Sequence, residues 1–227
     1  MGQALRGIIF DFGGVFTRTS PRKAILRRCE DDLGLGRGQL ARLLFSGEHW
    51  WAVSTGKTSA EEYWEAIRSA LGGSVPAALE PFKFNPFAYE RLNRRMIQLG
   101  RRLHKHYHTA LLSNATPYLD TLLAEQELID LFDLIVNSAR VGLRKPDAAI
   151  YELTVERMGL EPAQCLFVDD KVRNTRVAEG LGAYAEKVEQ PENIIPAIQR
   201  AKEAISSGRP ALLEIITGEE LDFCLYE

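Results

Sequence analysis

The chain has 227 residues, 45% of them hydrophobic and 26% charged, with a formal charge of −3 at pH 7. This is enough for one sizeable core plus an inserted or appended module, and the mild acidity excludes a global attraction to nucleic acid or anionic lipid, leaving only local anion binding. Cys29, Cys165 and Cys224 are far apart with no metal-ligand or redox spacing, no secretory leader precedes the first strand, and no apolar run nears membrane-spanning length, so the expectation is a cytosolic protein.

The first predicted element is Gly7-Ile8-Ile9-Phe10, an apolar run that delivers Asp11 and breaks at Gly13-Gly14. Such a run closed by turn residues reads as a buried parallel strand, and open α/β sheets bind ligands beyond the carboxyl ends of these strands. Asp11 is expected to project into a crevice, with the glycines letting main-chain N–H groups approach an anion. A capping Asp at a strand-to-loop turn would read the same way, so the weight rests on later signals.

From Val15 the apolar spacing is helical as far as about residue 85, broken by Gly34, Gly36, Gly47 and Gly72-Gly73. Ser59 and Glu62 form a capping box ahead of Tyr63, Trp64, Ile67 and Leu71, the expected core of a small helical bundle. His49-Trp50-Trp51 is read as part of that core rather than as a pocket wall. Asn85-Pro86 reads as the next helix start, with Leu92, Met96, Leu99 and Leu103 at helical spacing. Arg91, Arg94, Arg95, Arg101, Arg102 and Lys105 fall mostly opposite, as a solvated face. His104, His106 and His108 alternate just before a strand; without carboxylate support they are read as surface histidines.

Thereafter strand-like runs at Thr109 to Ser113, Asp133 to Asn137, Cys165 to Asp169, Ala183 to Val188 and Ala211 to Ile216 alternate with helices beginning near Pro117, Pro146, Lys171 and Pro191. This alternation predicts an α/β fold: a Rossmann-like parallel sheet with helices on both faces and an inserted helical cap. The expected division is a core of 1–16 and 86–190, a cap of 17–85, and an extension of 191–227 that adds a helix and a strand beside Ala183 to Val188. The apolar end Leu221 to Tyr226 is a possible contact surface.

Polar groups gather where the strands end. Leu111-Leu112-Ser113-Asn114 ends in a hydroxyl and an amide able to donate to phosphate. In Gly142-Leu143-Arg144-Lys145-Pro146-Asp147, Pro146 is expected to open a helix with the Lys145 ammonium at its positive end. Cys165-Leu166-Phe167-Val168-Asp169-Asp170 ends in adjacent carboxylates, with Asn174 a turn further on. Two carboxylates ~4 Å apart repel by about 4 kcal/mol at an effective dielectric near 20, and the natural remedy is a hard divalent ion such as Mg²⁺.

These four motifs, in this order, resemble those of the haloacid dehalogenase superfamily, over roughly residues 5 to 188. Their forms are most similar to the group around the N-terminal phosphatase domain of soluble epoxide hydrolases. The resemblance implies that Asp11 is a nucleophile forming an aspartyl-phosphate, and that Ser113, Asn114 and Lys145 hold the phosphoryl group. It further implies that Asp11, the Gly13 carbonyl and Asp170 bind Mg²⁺, with Asp169 and Asn174 in support. Gly13 stands where many phosphatases of the superfamily carry a second Asp as general acid and base, a function worth ~10²- to 10⁴-fold. Three readings follow: a Mg²⁺-dependent phosphatase of a small phosphorylated metabolite, a catalytically weak phospho-ligand binding or scaffold domain, and a 2-haloacid dehalogenase. The tail from about Gly182 resembles the C-terminal segment of thiamine-diphosphate enzymes, but the chain has no Gly-Asp-Gly motif, so that cofactor is not expected.

Overall fold

The computed structural model describes residues 4–18, 20–188, 194–207 and 212–215. The strands are β1 Gly7–Phe10, β2 Thr17–Arg18, β3 Arg91–Leu92, β4 His108–Ser113, β5 Leu134–Asn137, β6 Cys165–Asp169, β7 Tyr184–Val188 and β8 Leu212–Ile215. The helices are α1 Ser20–Asp32, α2 Gln39–Phe45, α3 Gly47–Ser54, α4 Ala60–Ala70, α5 Arg94–His104, α6 Leu119–Glu125, α7 Ser138–Val141, α8 Ala148–Met158, α9 Val172–Gly180 and α10 Ile194–Ser206. No helix among the described residues is long and apolar enough to cross a membrane.

Six strands form one parallel sheet in the order β5-β4-β1-β6-β7-β8, and β8 also pairs with the end of β6. Strand side chains point to alternate faces, and the core divides accordingly. Ile8, Phe10, Leu111, Leu166 and Val168 pack on one face with Met96 of α5, Leu119 of α6 and Ile198 of α10. Ile9, Ala110, Leu112, Cys165 and Phe167 pack on the other with Ile150 and Tyr151 of α8 and Ala178 of α9. The central strands are thus buried on both sides and read as continuous apolar runs.

Helices α1 to α4 and a 3-10 helix at Ala77–Lys83 form a separate cluster around Trp50, Tyr63, Trp64, Ile67, Leu40 and Phe82. Both halves of the Ser59–Glu62 capping box are present, with Glu62 N donating to Ser59 Oγ at 3.1 Å and Ser59 N to Glu62 Oε2 at 2.8 Å. Trp50 fills this core, but Trp51 faces out, 40% exposed, with the Lys57 ammonium over its ring. The chain enters and leaves the helical cluster through β2 and β3, an antiparallel ribbon pairing Thr17 with Leu92 and Arg18 with Arg91.

Two expected helix starts move. The Asn85 side chain accepts from Phe87 N at 2.9 Å, closing a turn instead of capping a helix. The helix itself, α5, begins at Arg94, where the Asn93 side chain accepts from Met96 N at 3.3 Å. Pro146 follows a cis peptide bond, and α8 begins at Ala148 behind Asp147, so Lys145 is not in the first turn of that helix. The helix start expected near Pro191, the apolar end Leu221 to Tyr226 and Cys224 lie outside the described residues.

Candidate active site

The register of the sheet builds the site. Phe10 of β1 is level with Leu111 of β4 and Val168 of β6, so the next residue, Asp11, stands beside Asp169 at the carboxyl end of the sheet. Asp11 N continues the ladder by donating to Val168 O at 2.8 Å, and Asp11 Oδ1 accepts from Phe12 N at 2.7 Å. Ser113 closes β4, also buried.

Lys145 binds these ends together. Its Nζ is 3.1 Å from Asp11 Oδ1 and donates to Asp169 Oδ2 at 2.5 Å, and the residue is only 2% exposed. Asp169 is held further by Asn174 Nδ2, which donates to both its oxygens at 2.9 and 3.0 Å, and by Lys171 N at 2.9 Å. Asn174 in turn accepts at its carbonyl from the hydroxyl of Tyr151 at 3.0 Å. Asn114 takes part through Lys145: its amide donates to Lys145 O and its Oδ1 accepts from Lys145 N, both at 2.8 Å, so the side chain clamps the Lys145 loop.

Carboxylate oxygens of Asp11, Asp169 and Asp170 lie within 4.8 Å of one another, all three residues buried. This is an all-oxygen, hard donor set that fits Mg²⁺ far better than a thiophilic metal. Burial raises the Asp11 carboxyl above its ordinary range, against the opposing pull of Lys145 and with a further push from Asp169. Burial also acts on Asp169, but Lys145 and Lys171 outweigh it and hold that carboxyl low. Burial would lower Lys145, yet Asp11 and Asp169 raise it, so the ammonium is retained. Lys171 is raised chiefly by Asp170. Beyond opening a helix, Lys171 thus faces the acids of the site, and its position directly after Asp169-Asp170 is the signal of this in the sequence.

The turn after Asp11 is shaped by two contacts invisible in the sequence. Gly14 has φ +77°, and a Cβ there would fall within the van der Waals shell of Asp170 Oδ2. A Cβ on Gly13 would lie 3.0 Å from Cε1 of Phe87, whose ring packs edge-on against Phe12 at 4.9 Å between centroids. Phe87 thus crowds the space a second acid would use. Away from the site, the three histidines are not equivalent. His104 Nδ1 lies 2.8 Å from Thr109 Oγ1, and His104 and His108 approach Asp133 Oδ2 at 3.5 and 4.0 Å, a carboxylate brought in from β5's approach; His106 is exposed.

The chain is 26% identical over 196 residues to D-ribitol-5-phosphate phosphatase of Bacteroides thetaiotaomicron, covering 83% of this chain and 93% of that one. It is 26% identical over 229 residues to bifunctional epoxide hydrolase 2 of Sus scrofa, covering 92% and 41%. It is 24% identical over 211 residues to acyl-CoA dehydrogenase family member 10 of Mus musculus, covering 87% of this chain but spanning only 19% of that protein. A crystal structure of a haloacid dehalogenase family enzyme from Bacteroides thetaiotaomicron, in complex with magnesium and inorganic phosphate, superposes with a TM-score of 0.63 at 20% identity, covering 78% and 91%. The family of haloacid dehalogenase-like hydrolases matches residues 5–182, most of the chain, including the ends of β1, β4 and β6, and the chain belongs to that family.

Proposed function

We propose that this chain is a Mg²⁺-dependent phosphomonoesterase for a small phosphorylated metabolite, with Asp11 as the nucleophile. The observation that carries the reading is the buried cluster at the strand ends, where Asp11 Oδ1 is held 3.1 Å from Lys145 Nζ among three carboxylates. Relatives named as phosphatases of D-ribitol 5-phosphate and of fructose 1-phosphate support the substrate class.

In this reading Asp11, Asp170 and the Gly13 carbonyl hold Mg²⁺, which supplies charge to neutralise phosphoryl oxygens. Asp11 attacks phosphorus, the ester P–O bond breaks, and the leaving alkoxide takes a proton from water or from the substrate because Gly13 offers none. Water then cleaves the aspartyl-phosphate, releasing phosphate and restoring the Asp11 carboxylate. Lys145 neutralises charge on the transferring group, Ser113 donates to it, and Asp169 and Asn174 keep Lys145 in place. Residues 17–85 act as the unit that selects the substrate.

The test is hydrolysis of an aryl phosphate by the wild type with Mg²⁺, with EDTA, and by Asp11→Asn. Activity that needs both metal and Asp11 is expected. A folded wild type that binds Mg²⁺ but turns over no faster than Asp11→Asn would instead support the phospho-ligand binding reading, which the crowding of Gly13 by Phe87 favours.

A further inference from the structure

A second buried ion pair lies outside the carboxylate cluster. Glu90, just before β3, has a side chain only 1% exposed, and its two oxygens serve two different segments. Oε1 pairs with Arg22 Nη1 of α1, and Oε2 accepts from the hydroxyl of Thr17 in β2. Arg22 is itself held by Pro86 O at 3.3 Å and lies over the Phe45 ring at 4.8 Å. Thr17 Oγ1, also buried, accepts from Gly14 N–H at 3.1 Å. A continuous path of polar contacts therefore runs from the first helix of the cap, through both strands' approaches, to the turn that carries Asp11.

A buried ion pair is often no more stabilising than apolar packing of the same volume, so stability alone is a weak reason for Glu90. Here the geometry has a target. Gly14 packs so closely on the Asp170 carboxylate that no side chain fits between them, so the Gly14 main chain forms one wall of the Asp170 seat. We propose that Glu90 is a positioning residue: through Thr17 it fixes the Gly14 amide, and with it the seat of Asp170, to the orientation of the cap. This rests on the reading of Asp11 and Asp170 as the Mg²⁺ site.

The experiment uses the full chain as wild type, Thr17→Val, Thr17→Ser and Glu90→Gln. Each is titrated with Mg²⁺ alone by calorimetry and assayed on an aryl phosphate for kcat and KM. Losing one buried hydrogen bond to a charge-linked hydroxyl corresponds to roughly tenfold, so Thr17→Val should weaken Mg²⁺ binding by about that factor and lower kcat similarly, with KM little changed. Thr17→Ser, which keeps the hydroxyl, should stay within about twofold of wild type, and Glu90→Gln should move in the same direction as Thr17→Val by about threefold. Mg²⁺ binding and kcat unchanged in Thr17→Val overturn the proposal, as does an equal loss in Thr17→Ser, which would point to packing by the methyl group. If Thr17→Val does not fold, unchanged Mg²⁺ binding in Glu90→Gln overturns it. A wild type that gives no heat with Mg²⁺ overturns the underlying reading, and this inference with it.

Discussion

Removing the ammonium of Lys145 would leave Asp11 and Asp169 facing each other as two buried, largely desolvated carboxylates. Taking one partner from a buried, hydrogen-bonded ion pair costs about 3–5 kcal/mol, so Lys145→Met should lose roughly that much in urea unfolding, with part restored by saturating Mg²⁺. The pH dependence has a definite sign. Because Lys145 holds the folded Asp169 carboxyl below its unfolded value, the stability from that carboxylate is present above the unfolded pKa and is lost as pH falls through the folded one. In Lys145→Met the acid limb of unfolding should therefore move to higher pH. Gly13 is a different kind of residue problem. Gly13→Asp alone meets the Phe87 ring, so a gain on alkyl phosphates is expected from Gly13→Asp with Phe87→Ala, by up to ~10²-fold, and a much smaller one from the single variant. Asp11 and Asp169 were legible in the sequence because each stands at the end of an apolar strand, and Lys145 because it stands in a Gly-to-Pro turn, although not at the helix start expected of it. The task of Asn114, the place of Phe87 and the reach of Glu90 were not, since each depends on a contact between segments far apart in the chain.

At the scale of elements, periodicity found the six strands of the main sheet almost to the residue because buried β runs have few ways to end, whereas the two-residue strands β2 and β3 were not expected and Leu92 had been read as helical. The strand expected over Cys165 to Asp169 is β6 with the same limits, and Thr109 to Ser113 gains only His108. Helix starts were less legible where two residues compete for the same signal. Asn85 and Asn93 both carry an amide that can cap a main-chain N–H, and only the tertiary path through β3 decides that Asn93 starts the helix. α4 offers the cleanest test of a local signal. Ser59→Ala removes its cap and should lower stability by about 1 kcal/mol in thermal unfolding while leaving Mg²⁺ affinity unchanged. The same substitution changing Mg²⁺ affinity would mean that the cap core and the sheet are more tightly coupled than their separate clusters indicate.

For the whole molecule, the two-faced sheet and the inserted helices were readable from the order of elements alone, whereas the seating of the cap on the core was not. Thr116 Oγ1 donating to Phe84 O at 2.6 Å, and Gly56 pressed against the carbonyl of Ala139, are long-range accidents of shape that no spacing announces. If the three buried acids hold Mg²⁺ as proposed, global stability depends on that cation. A site that binds Mg²⁺ only when folded gains about 2.7 kcal/mol at 100 times Kd. Differential scanning calorimetry should then show a rise in Tm of ~5–10 °C over the EDTA-treated protein. Absence of any rise would argue that the carboxylates are balanced by Lys145 and Lys171 without metal.

The β2–β3 ribbon carries one more consequence. The only two covalent crossings described between sheet and cap leave as register partners, Arg18 opposite Arg91, so the whole cap hangs from a gap that a two-residue turn can bridge. The chain is therefore built as a cassette on a fixed socket. Replacing what lies between the crossings is one hairpin-sized edit of the chain, but that edit also removes Phe87, Phe84 and Glu90, whose contacts with Phe12, Thr116 and Thr17 bear on the strand ends that carry Asp11 and Asp169.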